Sequence, residues 1–186
     1  TAFSYRNAIS IGYHVCGVTA DGRVYCKGNN DYGQLGDGTT TSATEFVAVS
    51  GGLSFAAVTV GGAHTCGLTT IGAVYCWGRN SGGNTVFGVL GIGTSTGPEA
   101  CSPPFELPPV GCSRVPVAVT GGLTFTSLSA GYSHTCGITT TGAAYCWGHF
   151  LGQFGAGGSS APSPVPPPAG SGSALERIAI HITMPR

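Results

Sequence analysis

His64-Thr-Cys-Gly-Leu-Thr-Thr-Ile-Gly-Ala-Val-Tyr-Cys-Trp-Gly78 decides the fold, because the chain contains it three times. His14-Val-Cys-Gly-Val-Thr-Ala-Asp-Gly-Arg-Val-Tyr-Cys-Lys-Gly28 and His134-Thr-Cys-Gly-Ile-Thr-Thr-Thr-Gly-Ala-Ala-Tyr-Cys-Trp-Gly148 are the other two copies. In each copy the two cysteines are symmetric about one residue, Asp21, Ile71 or Thr141. A glycine follows that centre (Gly22, Gly72, Gly142), where a three-residue hairpin loop needs a left-handed backbone. The cysteines therefore face each other across a hairpin, at a separation that a disulfide tolerates. Three copies agree, so Cys16 is expected to pair with Cys26, Cys66 with Cys76, and Cys136 with Cys146. Cys101 and Cys112 remain, and they bracket a Pro-rich stretch as a fourth local pair.

Outward from the hairpin, the same order recurs. Strand-like runs precede it: Ala8 to Ile11, Phe55 to Val60 and Phe125 to Ala130. Gly-rich loops follow it: Gly33-Gln-Leu-Gly-Asp-Gly38, a degenerate Val89-Leu-Gly-Ile-Gly93, and Gly152-Gln-Phe-Gly-Ala-Gly157. A short apolar run then closes the unit, Phe46 to Val49 or Val115 to Val119. Strand, hairpin, loop and strand make a four-stranded antiparallel unit. Such units at a period near 50 residues, as between Cys16 and Cys66, mark β-propeller blades. The expected units are 1–49, 50–119 with an insert at 97–113, and 120–160. A Pro/Gly/Ser linker at 161–174 and an opening strand at 175–186 follow. The second period is 70 residues, and its extra length falls near Ser81–Phe87 and in the insert.

Composition supports an all-β class. Thirty-three glycines and twelve prolines disfavour long helices, while β-branched and aromatic runs lie between them. With 8% charged and 41% hydrophobic residues, the chain has enough apolar surface for a core. Seven Lys and Arg are scattered without a basic stripe, so nucleic acid is not an expected partner. No apolar run is long enough to cross a bilayer as a helix, so no membrane insertion is expected. Four local cysteine pairs with none left over point to an oxidising compartment, outside the cell or at its surface. The first residue, Thr1, is read as a processed or excised start.

Gly131-Tyr-Ser-His-Thr-Cys136, Tyr145-Cys-Trp-Gly148 and Gly33-Gln-Leu-Gly-Asp-Gly38 resemble the regulator-of-chromosome-condensation repeat, and more narrowly its cysteine-bearing bacterial variety. The resemblance implies a β-propeller, usually seven-bladed. Members of that family exchange nucleotide on a small GTPase, inhibit β-lactamase, or sense ultraviolet light through clustered tryptophans. None of these activities is carried over. The exchange factor is nuclear, against the cysteines, and this chain has only Trp77 and Trp147. What the resemblance does imply is protein binding through loops and faces.

Sites for chemistry are sought against this background. His14, His64 and His134 each stand two residues before a cysteine and could suggest zinc. A closed zinc site needs four ligands, and no fourth recurs, so the histidines are expected to bond between blades. The Gly-rich loops neither follow a strand into a helix nor carry Gly-Lys-Ser/Thr, so no phosphate cradle is expected. Asp31 and Asp37 with Asn29 and Asn30 could suggest calcium, but the other repeats lack these acids. The acids Asp21, Asp31, Asp37, Glu45, Glu99, Glu106 and Glu176 never occupy equivalent positions in two repeats, and no serine sits in a nucleophile elbow. Neither a cofactor, a metal nor a catalytic residue is expected. Trp77 and Trp147 are expected to pack on their own blades, with Lys27 in their place in repeat one.

The count of strands is odd. Leu175-Glu-Arg-Ile-Ala-Ile-His-Ile182 aligns with an opening strand, Leu175, Ile178 and Ile180 falling where Phe55, Val58 and Val60 do. Ile182 extends the run, and no hairpin follows. The chain is a piece of a longer propeller, or it pairs with another copy, or the surplus strand completes a sheet in the next molecule. The Pro-rich stretch reads as a stiff spacer. It could carry O-linked sugar, as could Thr39 to Ser42. The sequence thus predicts an incomplete or oligomer-completed propeller acting as a non-catalytic structural and interaction module. It would be secreted or cell-surface and self-assembling through strand edges. A monomeric binder gripping another protein through the insert and one face is the alternative, and a secreted hydrolase stands behind both.

Overall fold

The computed structural model describes residues 5–11, 13–81, 88–103, 108–149 and 158–164. These form thirteen strands and no helix, in three antiparallel sheets. The first blade is β1 (Tyr5–Ile11), β2 (His14–Thr19), β3 (Val24–Gly28) and β4 (Ala43–Ala48), paired in chain order. The second holds β5 (Phe55–Val60), β6 (His64–Thr69), β7 (Val74–Arg79), β8 (Glu99–Cys101) and β9 (Val110–Ala118), in the order β5-β6-β7-β9-β8. The third is β10 (Phe125–Ala130), β11 (His134–Thr139), β12 (Ala144–His149) and β13 (Gly158–Pro164).

Each hairpin has the register that its cysteines require. Cys16 stands opposite Cys26, Cys66 opposite Cys76 and Cys136 opposite Cys146, with Cα atoms 4.1 Å apart and the sulfurs joined in all three pairs. The turn glycines have φ of 83°, 82° and 81°, a region open to glycine and strained for other residues. A threonine guards every turn: Thr19, Thr69 and Thr139 accept from and donate to the backbone of Arg23, Ala73 and Ala143. These hydroxyls close the same turn in all three copies, which is a local reason for the repeat's shape.

Two segments differ from the sequence expectation. The linker anticipated at 161–174 begins as a strand, since β13 runs to Pro164 and pairs Ser163 with Cys146 and Pro164 with Tyr145. It takes the place of β4 and β9, in which Val47 and Val117 face the equivalent cysteines. Proline is tolerated there because the strand lies at a sheet edge, with one side free of ladder bonds. Pro116 already occupies the equivalent position in β9, one residue before Val117, as Pro162 does before Ser163. The insert at 97–113 is also not a free loop. Its arms are β8 and the start of β9, a fifth strand added to blade two and stapled by Cys101–Cys112. The rest of the Pro-rich stretch, the loop Gly152–Gly157 and the strand with Leu175, Ile178, Ile180 and Ile182 lie outside the described residues.

The apolar core lies between blades rather than inside them. Cys16, Val18, Val24, Cys26 and Leu35 of blade one meet Phe55, Val58, Val60 and Trp77 of blade two. One blade and fifty residues on, Cys66, Leu68, Val74, Cys76 and Leu90 of blade two meet Phe125 and Trp147 of blade three. Each blade thus has a face bearing the disulfide, and blades two and three each present on the opposite face a Phe–Trp pair wedged into the blade before. The ring centroids are 5.9 Å apart in both pairs. The tryptophans thus pack on the phenylalanines of their own blades and, beyond the sequence expectation, also fill the joint with the blade before. Successive residues of a strand point to opposite faces, so Cys76 looks forward and Trp77 looks back. Gly36 and Gly91 cap the wedges. A Cβ on either, at φ of 72° or 70°, would lie 2.6 Å or 2.7 Å from the indole ring.

Candidate interaction surface

His14 pairs with Gly28 at one end of the first hairpin, and the equivalent pairs are His64–Gly78 and His134–Gly148. The long loops leave from this end. It also carries the turns before each histidine, where Tyr13 and Tyr132 are 68% and 72% exposed. Large aromatic side chains left in solvent on a loop-bearing rim suit protein contact. The hairpin tips and the Gly51-Gly52 and Gly121-Gly122 connections form the other end, where Ile71 is exposed.

The loops at the first end are held from within. Asn30 is fully buried; its Oδ1 accepts from Leu35 N–H (2.9 Å) and its Nδ2 donates to Thr39 O and Thr41 O. Asn80 repeats this with Leu90 N–H, Thr94 O and Thr96 O. The two asparagines turn a stretch without a ladder into a fixed platform, since every buried polar atom of the amide has a partner. The sequence draws attention to Asn30 only as a possible calcium ligand and not to Asn80, although Gly28-Asn-Asn30 and Gly78-Arg-Asn80 place asparagine at the same offset.

The insert fastens blade two to the loop of blade one. Tyr32 packs with Cys101, Val110 and Cys112, with Ala63 beside them. The Arg79 guanidinium lies 4.8 Å from the Tyr32 ring centroid. Arg114 accepts Gly38 N–H at its carbonyl (3.0 Å), and its side chain grips both carboxylate oxygens of Glu99. That fork holds the Glu99 carboxyl below its ordinary range and raises Arg114.

The histidines line the joints. His14 Nε2 lies 2.6 Å from Thr65 Oγ1, and His64 Nε2 lies 2.9 Å from Thr135 Oγ1. Thr65 donates its hydroxyl to Gln34 O, which also accepts from Trp77 Nε1. The Thr65 oxygen must then accept from His14, which fixes the proton on Nε2. Repeat one has Val15 where the others have Thr65 and Thr135.

Burial pushes His14 down to about 4 and His64 to about 3, and for His64 the neighbouring His14 and His134 add to it. The neutral rings are the ones that fit. In the unfolded chain both titrate near 6.5, so this part of the stability is full above that pH. It drains as pH falls from about 6.5 towards 4 and 3, where the folded rings also take protons. We expect a loss on the order of a few kcal/mol between pH 7 and 4, read from denaturation midpoints. His64→Gln should flatten that slope; an equally steep profile in the variant would assign it elsewhere.

The remaining candidates for chemistry have structural tasks. The Asp31 carboxylate accepts from Asn29 Nδ2, and Asp37 accepts from Thr39 N–H and its hydroxyl. The hairpin sulfurs that a zinc ion would need are bonded to each other. Among the described residues, no group of three or more His, Cys, Asp or Glu is placed to hold a metal. Asp21 stands at an exposed tip beside Arg23, its carboxyl lowered first by the Thr19 hydroxyl. Glu45 is exposed on β4, while Glu106 and Glu176 lie outside the described residues.

The family profile described as the Regulator of chromosome condensation (RCC1) repeat matches residues 12–34, 47–84 and 125–155. Among solved structures, yeast RCC1 (Prp20) bound to Kap60 superposes with a TM-score of 0.64 at 22% identity, over 86% of this chain and 37% of that one. Human WBSCR16 gives 0.67 at 17% identity, over 87% and 38%. Prp20p of Saccharomyces cerevisiae, described together with its binding to Gsp1p and histones, gives 0.62 at 22%, over 86% and 38%. At these identities the likeness concerns the fold, and the chain spans under two-fifths of the length of these proteins.

Proposed function

The chain belongs to the regulator-of-chromosome-condensation repeat family, and from that membership we propose that it is a non-catalytic structural and interaction module of an oxidising, extracellular or cell-surface setting. Its four cysteine pairs support the setting, since such pairs are rare in the reducing cytosol. Its role is to associate with other copies through strand edges at the trailing end of the blade array.

The observation that carries self-association is the inequality of the two ends. Repeat one has Val15 and Lys27 where the joints use Thr65 and Trp77, and the Lys27 ammonium lies 4.9 Å from the Phe46 ring centroid of its own blade. A second copy offering its first blade could not rebuild a blade joint. Backbone pairing at a strand edge needs no such wedge. Negative-stain microscopy and light scattering of the purified chain test this, with rings or filaments expected. Deleting residues 175–186 should reduce them to monomers, and assembly unchanged by the deletion would remove the proposal.

The exposed Tyr13 and Tyr132 favour a second reading, a monomer that grips another protein through the loop-bearing face. A compact monomer in the same experiment, with Tyr13→Ala or Tyr132→Ala weakening capture of a partner, would select it. O-linked sugar on the exposed run Thr39 to Ser42 is compatible with either, and intact mass of the secreted protein reads it directly.

A further inference from the structure

The hairpin-tip end of the blades is built by residues 19–24, 48–55, 69–74, 118–125 and 139–144. Asp21 and Arg23 are the only charged residues in these five segments, and they pair with each other at 3.0 Å. The opposite end carries Asp31, Asp37, Arg79, Glu99 and Arg114 on and beside its loops. A protein-binding face is depleted of charge at its centre, and a face with net charge repels its own copy. The tip end meets both conditions.

This end also holds a knob beside a hole. Ile71 stands at the tip of blade two, where blades one and three place Asp21 and Thr141, and it is 81% exposed. Its neighbour Thr70 donates its N–H to Ser54 O (3.3 Å). Ser54 belongs to the wall of a cavity of about 210 Å³, where Val24, Val49, Leu53 and Phe55 give the apolar lining. Asp21 and Arg23 also line it, with exposed side chains. Pockets for small ligands enclose about 300–1,000 Å³, so this one suits a single aliphatic side chain better than a cofactor.

We infer that this side chain is Ile71 of a second copy. Two molecules meet tip end to tip end about a two-fold axis, and each gives its Ile71 to the other's cavity. A two-fold contact is isologous, so a knob and a hole side by side on one face are filled reciprocally. Within its own molecule Ile71 leaves most of its surface in solvent, so it does not fill the cavity it borders. The contact removes that apolar surface from water and covers no lone charge, because Asp21 and Arg23 are already paired. It is small beside the roughly 1,200–2,000 Å² of a stable interface. It therefore pairs copies already gathered by strand edges, where repetition multiplies it, and so it rests on the self-association proposed above.

Photo-crosslinking of the full chain tests the contact. Leucine is exchanged for its diazirine analogue of like shape, and this chain is mixed with a heavy-isotope copy, so that links between molecules carry both isotopes. Position 53 should link to the peptide 69–73 of the heavy copy, and Ile71→Asp in that copy should lower the yield at least tenfold. Ile71→Val should keep it. Under negative stain, rings or filaments of the unaltered chain should lie paired face to face, and those of the Ile71→Asp chain should be single. Links from 53 only to other segments, or a yield that Ile71→Asp leaves unchanged, would overturn the inference; rings or filaments in that sample would leave strand-edge association standing. Mixed links from 53 to 69–73 at high protein concentration, without rings or filaments, would sink strand-edge association and keep the contact.

Discussion

Reduction of the three hairpin disulfides is expected to unfold the protein at neutral pH without denaturant. Each closes a loop with a sequence separation of ten residues, and the loop-entropy relation gives about 3 kcal/mol for each at 25 °C. Three such contributions match a typical domain's entire stability of about 5–15 kcal/mol. The sulfurs also lie in the joints. Cys66 and Cys76 pack with Leu90, Phe125 and Trp147, so replacing that pair with serine removes a staple and places hydroxyls in an apolar contact. The Cys66→Ser/Cys76→Ser variant should therefore lose more than the Cys136→Ser/Cys146→Ser variant, whose sulfurs face no described following blade. Circular dichroism with and without reductant reads the first effect, and denaturant midpoints of the variants read the second. A reduced chain that keeps its sheet signal and its midpoint would show that the blades do not need their staples.

Trp77→Ala is expected to destabilise the protein by about 3–5 kcal/mol, the range for an aromatic ring removed from a packed interior. Trp77 has no exposed surface, contacts the Phe55 ring and donates to Gln34 O, where Thr65 also bonds. Its loss leaves a void between blades one and two that neither sheet can close alone, because Gly36 is held against the ring by a backbone conformation suited to glycine. Lys27→Ala at the matching place in blade one supplies the control. It breaks a contact of the ammonium with Phe46, and less than about 1 kcal/mol is expected. Equal losses in the two variants, measured by urea unfolding, would mean that the wedge does not carry the joint.

The hairpins were legible to the residue because cysteines index the register. Symmetry about Asp21, Ile71 and Thr141 leaves one pairing, and β2–β3, β6–β7 and β11–β12 adopt it. The opening strands were legible from alternation, as in Phe55, Val58 and Val60. The outer strand of blade three was not, because Ser160-Ala-Pro-Ser-Pro164 has neither β-branched residues nor alternation, and its pairing depends on β12 supplying an edge. β8 was hidden for a related reason, since three residues are too few to show a period. The direction of the tryptophans needed knowledge of which blade lies on each side, which no single strand contains. At the candidate surface, the histidine contacts followed from the repeat, whereas Thr65 and Thr135 gained meaning only once neighbouring blades were in place.

The one-way wedge has a consequence for synthesis. A blade that emerges from the ribosome first already displays the groove that its successor's Phe and Trp will fill, and it needs nothing from that successor to form its own ladder. Folding can then proceed vectorially, blade two docking on a finished blade one and blade three on blade two.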